Sequence, residues 1–162
     1  MVSMDFPPAS AVVEGVCKVQ KLYRAAVLHL VLGLGAGLFY REFTRANDFP
    51  EGQFTQLGVT HTHLLVLGFV MSLIFLVLEK LFQVSRSGKL FTWFFWVYNV
   101  GVLMTSGMMV WHGILTVQGK ESTAMIAGIA GLGHIAITIA LGLFMAALGR
   151  ALKSVEPESV RR

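Results

Sequence analysis

The chain has 162 residues, of which 55% are hydrophobic and 14% charged, and its mean hydropathy is +0.69. Soluble domains carry about 25% charged residues, so the composition excludes an ordinary soluble domain and points to an integral membrane protein. The formal net charge of +4 does not indicate nucleic-acid binding, because the basic residues are scattered at the ends of apolar stretches, where membrane topology accounts for them.

The first ten residues, MVSMDFPPAS, lack the basic-then-apolar order of a cleavable signal peptide. The first span is therefore expected to direct insertion. An amphipathic piece from Ala11 to Gln20 is expected at the membrane interface or as an extension of that span. It holds Cys17, the only cysteine, which can form neither an intrachain disulfide nor a zinc motif. Span 1 is read from Leu22 to Tyr40, with Arg24 snorkelling from its first turns. The loop Arg41 to Gln56, with Asn47-Asp48, Pro50 and Gly52, is long enough to cap a bundle but too short for a domain.

Span 2 is read from Leu57 to Leu78 and ends at Glu79-Lys80, taken as an ordinary terminus. Span 3 runs from Leu90 to Val117, and span 4 from Ala124 to Leu148, ending at Arg150. Each stretch is near or above the ~20 residues needed to cross the hydrocarbon core. The expected fold is all-α, an integral membrane four-helix bundle in one domain over residues 21–152. Residues 1–20 are expected as a cytoplasmic or interfacial segment, and 153–162 as a cytoplasmic tail.

Lysine and arginine set the expected orientation. Lys18, Lys21, Arg24, Lys80, Arg86, Lys89, Arg150, Lys153, Arg161 and Arg162 fall on one side, against Arg41, Arg45 and Lys120 on the other. By the positive-inside rule both termini are cytoplasmic. Trp93, Trp96 and Trp111 fall near span ends, as interfacial aromatics do.

All five histidines, His29, His61, His63, His112 and His134, lie within the spans. An imidazole in hydrocarbon is costly and marks a functional site by default, and it is the commonest side-chain metal ligand. Membrane helices associate through small residues, so the small-residue stripe of each span is expected to face the protein. On span 4 that stripe is Ala127, Gly131, His134, Thr138, Gly142 and Gly149. On span 1 His29 lies beside Gly33, Ala36, Gly37 and Tyr40, and on span 3 His112 is in line with Tyr98, Gly101 and Thr105. His61 and His63 point ~200° apart on a helix. His61 shares a face with Gly68, Ser72 and Glu79 and is the interior candidate. His63, in line with Leu67, Val70 and Ile74, is expected to face lipid, a second subunit or a second site. From the 1.5 Å rise per residue, His61, His63 and His134 lie in one layer ~24–28 Å from the cytoplasmic span ends, with His29 at a depth compatible with His134 and His112 nearer the outer surface.

Two imidazoles from two helices can bind a haem iron on opposite faces, a geometry helix bundles supply. No Cys-x-x-Cys-His is present, which excludes covalent c-type attachment and leaves haem b. His61 and His134 are the expected axial ligands, with His63, His29 and His112 supporting them or forming a second site. A packing role through interhelical hydrogen bonds remains open for each histidine. The methionines Met104, Met108, Met109, Met125 and Met145 keep copper open as an alternative, whereas zinc lacks a carboxylate or thiolate in the histidine layer. The polar strip Tyr98, Asn99, Thr105 and Ser106 reads as interhelical hydrogen bonding, as haem support or as a proton route.

The segment His61-Thr62-His63-Leu64-Leu65-Val66-Leu67-Gly68 resembles a bacterial family of small four-span membrane proteins of unknown function. So do Tyr40-Arg41-Glu42-Phe43-Thr44, Glu79-Lys80 and Gly133-His134-Ile135. This likeness covers nearly the whole chain, implies the inner (plasma) membrane of a bacterium, and names no activity. His61-Thr62 followed by Leu64-Leu65 also resembles the second helix of the catalytic subunit of haem–copper oxidases and nitric oxide reductases, which implies a low-spin haem ligand at His61. The histidine cluster that holds the second metal of those enzymes is not recognisable here. Two hard ligands leave no open position on iron, which favours electron transfer or redox sensing. The alternatives are a gas-reducing or quinol-oxidising haem enzyme and a haem-free copper carrier or assembly factor. The expected partners are the lipid bilayer, further copies of the chain in a homo-oligomer, and a quinol or redox protein.

Overall fold

The computed structural model describes residues 9–121 and 123–155, and all its regular structure is helical. Helix α1 spans Ala9–Ala46, α2 spans Leu57–Phe82, α3 spans Lys89–Val117 and α4 spans Ala124–Val155. Within them the segments Cys17–Ala46, Leu57–Phe82, Lys89–Val117 and Ala124–Ser154 are long and apolar enough to cross a membrane. The chain is thus an all-α, multi-pass membrane protein.

Helix α1 is longer at both ends than the hydropathy of Leu22 to Tyr40 indicates. No proline falls between Pro8 and Pro50, so nothing breaks the backbone where the apolar run stops. The amphipathic piece is a direct extension of span 1, and Arg41 to Ala46 is helix instead of loop. The helix ends where Asp48 takes a left-handed conformation (φ 48°). Its last turns are tied by Thr44 Oγ1 donating to the Tyr40 carbonyl (2.8 Å) and Asn47 Nδ2 donating to that of Phe43 (2.8 Å).

Helix α2 has three parts. An α-helical turn pair, Leu57–His63, passes into a π-helical segment, Leu64–Val70, and then into a second α-helical part, Met71–Phe82. Gln83 stops it with a left-handed φ of 51°. A 3₁₀ turn at Val84–Ser87 then leads through Gly88 (φ 62°) into α3.

Glu79 is no ordinary terminus: it is buried, and its carboxylate accepts the Ser85 N–H (2.8 Å) and hydroxyl (2.5 Å). Lys18 of α1 donates to the Ser85 carbonyl (3.3 Å). A single carboxylate thereby fastens the α2–α3 turn, through hydrogen bonds of the stronger, charge-assisted kind.

The helices pack unevenly. Helix α1 lies along α2, α3 lies along α4 for most of its length, and α2 joins the two pairs. Near the α2–α3 turn the core is aromatic. The ring of Phe75 sits 4.9 Å from Phe94, 5.1 Å from Tyr98 and 4.5 Å from Phe144, between centroids. The Tyr98 hydroxyl donates to the Leu67 carbonyl (2.7 Å), inside the π segment. Large apolar side chains such as Leu34, Leu38, Val77, Ile135 and Met145 point outward, and so do Trp93, Trp96 and Trp111. An apolar belt of this extent faces lipid in a membrane protein.

Helix α4 turns a different face inward than its small residues indicate. Its buried line is Ile126, Gly133, Ile137, Ala140, Phe144, Ala147 and Ala151, whereas Ala127, Gly131, His134, Thr138 and Gly142 are exposed. The close approach to α3 is made by Gly133 against Gly101. A β-carbon at Gly133 would fall on the Thr105 side chain, and one at Gly101 would lie 3.1 Å from the Gly133 carbonyl. The bulky residues of the buried line win the interior because they fill the space between α3 and α2, which glycines cannot.

Candidate functional site

The half of the bundle away from the α2–α3 turn carries the histidines. His29 is fully buried (0% exposed). Its Nδ1 is 2.8 Å from the Ala25 carbonyl, one turn back on α1. The ring lies flush on the backbone of α2, where a β-carbon at Gly68 would come within 2.5 Å of it. Its Nε2 is buried without a partner. A glycine at position 68 is what allows α1 and α2 to close over an imidazole.

The π segment decides where the other two α2 histidines point. In an unbroken α-helix His61 would share the face of Gly68 and Ser72. The wider π turns move the buried line to Thr60, Leu64, Gly68 and Ser72. His61 and His63 then flank that line, about 100° to one side and about 60° to the other. His61 turns to α1, with its Cβ 3.8 Å from where Gly37 would carry one. It is half-buried, its Nδ1 is buried without a partner, and its Nε2 is 3.5 Å from the Thr62 hydroxyl.

His63 turns to α4. Its ring meets that of His134 with centroids 6.3 Å apart and planes at 81°. His63 is therefore directed at another histidine of the same chain, where the sequence alone left lipid, a second subunit or a second site. His134 is exposed, and its Nδ1 lies 3.0 Å from the Ala130 carbonyl. When that nitrogen carries the proton, Nε2 keeps its lone pair and the ring is fixed, the usual arrangement behind a metal-binding imidazole. Beside it, β-carbons added at Gly128 and Gly131 would meet nothing within 4 Å, so the outer side of this pair is open.

His112 stands apart. It is half-buried near the opposite end of α3, beside Gly113, whose carbonyl accepts the Thr55 hydroxyl (3.2 Å). The Thr116 hydroxyl donates to the His112 carbonyl (3.0 Å). His29, packed on Gly68, lies roughly 8 Å along α2 from His63 at 1.5 Å per residue.

Among the described residues no three His, Cys, Asp or Glu side chains gather where they could hold a metal ion. Two imidazoles alone are a poor site for a bare copper or zinc ion, which takes three or four protein donors. They are a sufficient set for a porphyrin iron, whose other four donors come from the macrocycle.

Of the polar strip on α3, Tyr98 makes the expected interhelical bond, and Asn99 donates to the Phe95 carbonyl of its own helix (2.7 Å). Thr105 and Ser106 are buried with hydroxyl oxygens that have no partner. With His29 Nε2 and His61 Nδ1 they make four orphaned polar atoms in this half. Sequence reading missed that concentration, because satisfaction of a hydroxyl depends on what faces it and not on its spacing. It also missed the capping role of Glu79, for which Ser85 six residues on is the one available signal.

No curated protein and no solved structure matches the chain. The short likeness of α2 to haem–copper oxidases and nitric oxide reductases thus gains no support from them. The family model described as Protein of unknown function (DUF2871) matches residues 19–151. That stretch runs from the first turns of α1 almost to the end of α4 and takes in all five histidines, and the chain belongs to this family.

Proposed function

We propose that this protein is a membrane b-type haem protein with bis-histidine ligation, serving electron transfer or redox sensing. The observation that carries the reading is the His63–His134 pair. Their ring centroids stand 6.3 Å apart, so two imidazoles from two helices would be at hand to hold an iron. The Ala130 carbonyl behind His134 and the open glycine face at Gly128 and Gly131 fit the same group.

In this reading His134 and His63 would hold the haem iron, His63 in the role expected from the sequence for His61. His61 and His29 stand close by with lone pairs or protons to offer, and Thr105 and Ser106 bring hydroxyl donors. His112 lies toward the end of the bundle. Haem supplies a one-electron iron couple. The chain's own part is to orient two rings, hold their tautomers and keep the surrounding medium poor in water. An iron with both axial positions filled favours passing electrons over binding a gas.

The ring pair opens on the outward face of α4, so a second copy of the chain is the natural cover for that side, and a quinol or redox protein the natural electron source. The basic residues at the end with the α2–α3 turn support a topology with both termini cytoplasmic in a bacterial inner membrane.

The test is a reduced-minus-oxidised visible spectrum of protein expressed with ample haem, together with a pyridine haemochrome count. A sharp reduced band unchanged by carbon monoxide is the expected result. Loss of haem in both His134→Ala and His63→Ala, with haem retained in His61→Ala, assigns the ligands. A colourless wild-type protein overturns the proposal.

A further inference from the structure

Helices α1 and α3 do not close on one another, and the space between them is a groove of about 340 Å³. One wall is a stripe of α1, Lys21, Arg24, Ala25 and Leu28, at spacings that fall on one helix face. The other wall is supplied by α3, chiefly Phe95, Val100 and Leu103, with Trp96 and Asn99 at its side. The gap follows from the packing: α1 leans on α2 while α3 leans on α4, so the facing stripes of α1 and α3 are left without protein between them. The volume falls within the range of about 300–1,000 Å³ typical of small-molecule sites, and the walls below the two cations are almost wholly apolar.

The charges are arranged lengthwise. Lys21 and Arg24 are both exposed and lie at one end of the groove, about 10 Å and about 6 Å of helix rise before Leu28. Neither makes an ion pair among the described residues. Trp96 is exposed beside them, a residue that favours the headgroup level of a bilayer. Two uncompensated cations above an apolar channel parallel to the helices match one kind of molecule, an amphiphile with an anionic head and a hydrocarbon tail.

We propose that this groove is a binding site for a single anionic phospholipid. Its phosphate is held by Lys21 and Arg24, and one acyl chain lies against Leu28, Phe95, Val100 and Leu103. The site is independent of the haem reading, since it shares none of the five histidines. Filling the groove would couple α1 to α3, which pack on each other far less than on α2 and α4.

The experiment is lipid retention measured by native mass spectrometry on the full chain, released from bilayers of equal phosphatidylglycerol and phosphatidylcholine. The expected result is one retained phosphatidylglycerol, preferred roughly tenfold or more given two cations near the phosphate. The double variant Lys21→Gln/Arg24→Gln should lose the preference, and Val100→Trp should retain less lipid of either kind. Arg41→Gln/Arg45→Gln, at the other end of α1, should keep the preference and so separates the site from general surface charge. Equal retention of both lipids by the wild type, an unchanged preference in Lys21→Gln/Arg24→Gln, or a retained isoprenoid quinone in place of phospholipid would each overturn the proposal. Helix content by circular dichroism, unchanged across the variants, keeps loss of fold out of the comparison.

Discussion

The two halves of this bundle are built on opposite terms. Around the α2–α3 turn, Phe75, Phe94, Tyr98 and Phe144 fill the interior ring against ring, and the buried carboxylate of Glu79 has both of its oxygens occupied by Ser85. In the other half, helices touch through glycine backbones at Gly68, Gly101 and Gly133, and buried polar atoms on His29, His61, Thr105 and Ser106 have no partner among the described residues. An orphaned polar atom in an apolar medium is costly. The first half is closed by satisfied contacts; the second leaves buried polar atoms without partners among the described residues.

That contrast can be broken by substitution. The largest effect belongs to Phe75→Ala, which empties the centre of the aromatic cluster and should cost about 3–5 kcal/mol, read as a marked fall in the thermal unfolding midpoint in detergent. Gly68→Ala pushes a methyl into the His29 ring and should cost about 1–3 kcal/mol. Adding His29→Ala to it should recover much of the loss, and a double-mutant cycle on unfolding measures this. Glu79→Ala leaves the Ser85 N–H without its acceptor and should cost about 1–3 kcal/mol, with faster hydrogen exchange confined to the α2–α3 turn. At the small end, Gly142→Ala and His134→Ala change exposed positions that carry no packing load, and each should stay within about 0.5 kcal/mol of wild type when both proteins are compared free of haem. His134→Ala should nevertheless come out free of haem. A destabilised His134→Ala would remove the division between the halves.

The four helices were legible because membrane spans announce themselves by length and hydropathy, and the inward placement of His29 followed from the glycines beside it. The faces of α2 and α4 were less legible, for different reasons. On α4 two kinds of small residue compete: those that let backbones approach, such as Gly133, and those on the outer face, such as Gly131 and Gly142. Composition does not distinguish them. On α2 the obstacle was phase. Face arguments assume 3.6 residues per turn, and the assumption fails between Leu64 and Val70. Nothing in Leu-Leu-Val-Leu-Gly-Phe-Val states that it will widen. The widening is anchored from outside, by His29 pressing on Gly68 and by the Tyr98 hydroxyl on the Leu67 carbonyl.

The π segment also bears on how relatives of this chain are compared. A wide turn arises most simply from inserting one residue into an α-helix. A homologue that lacks the insertion would run in plain α-helix through the same stretch and present a different histidine to α4. Aligned without a gap, its His-x-His pair would look shifted by one place, and the equivalence of the histidines would be misread. Allowing a single-residue gap between positions 64 and 70 restores the correspondence in space. The length of that stretch therefore sets which residues on either side of it share a face of α2.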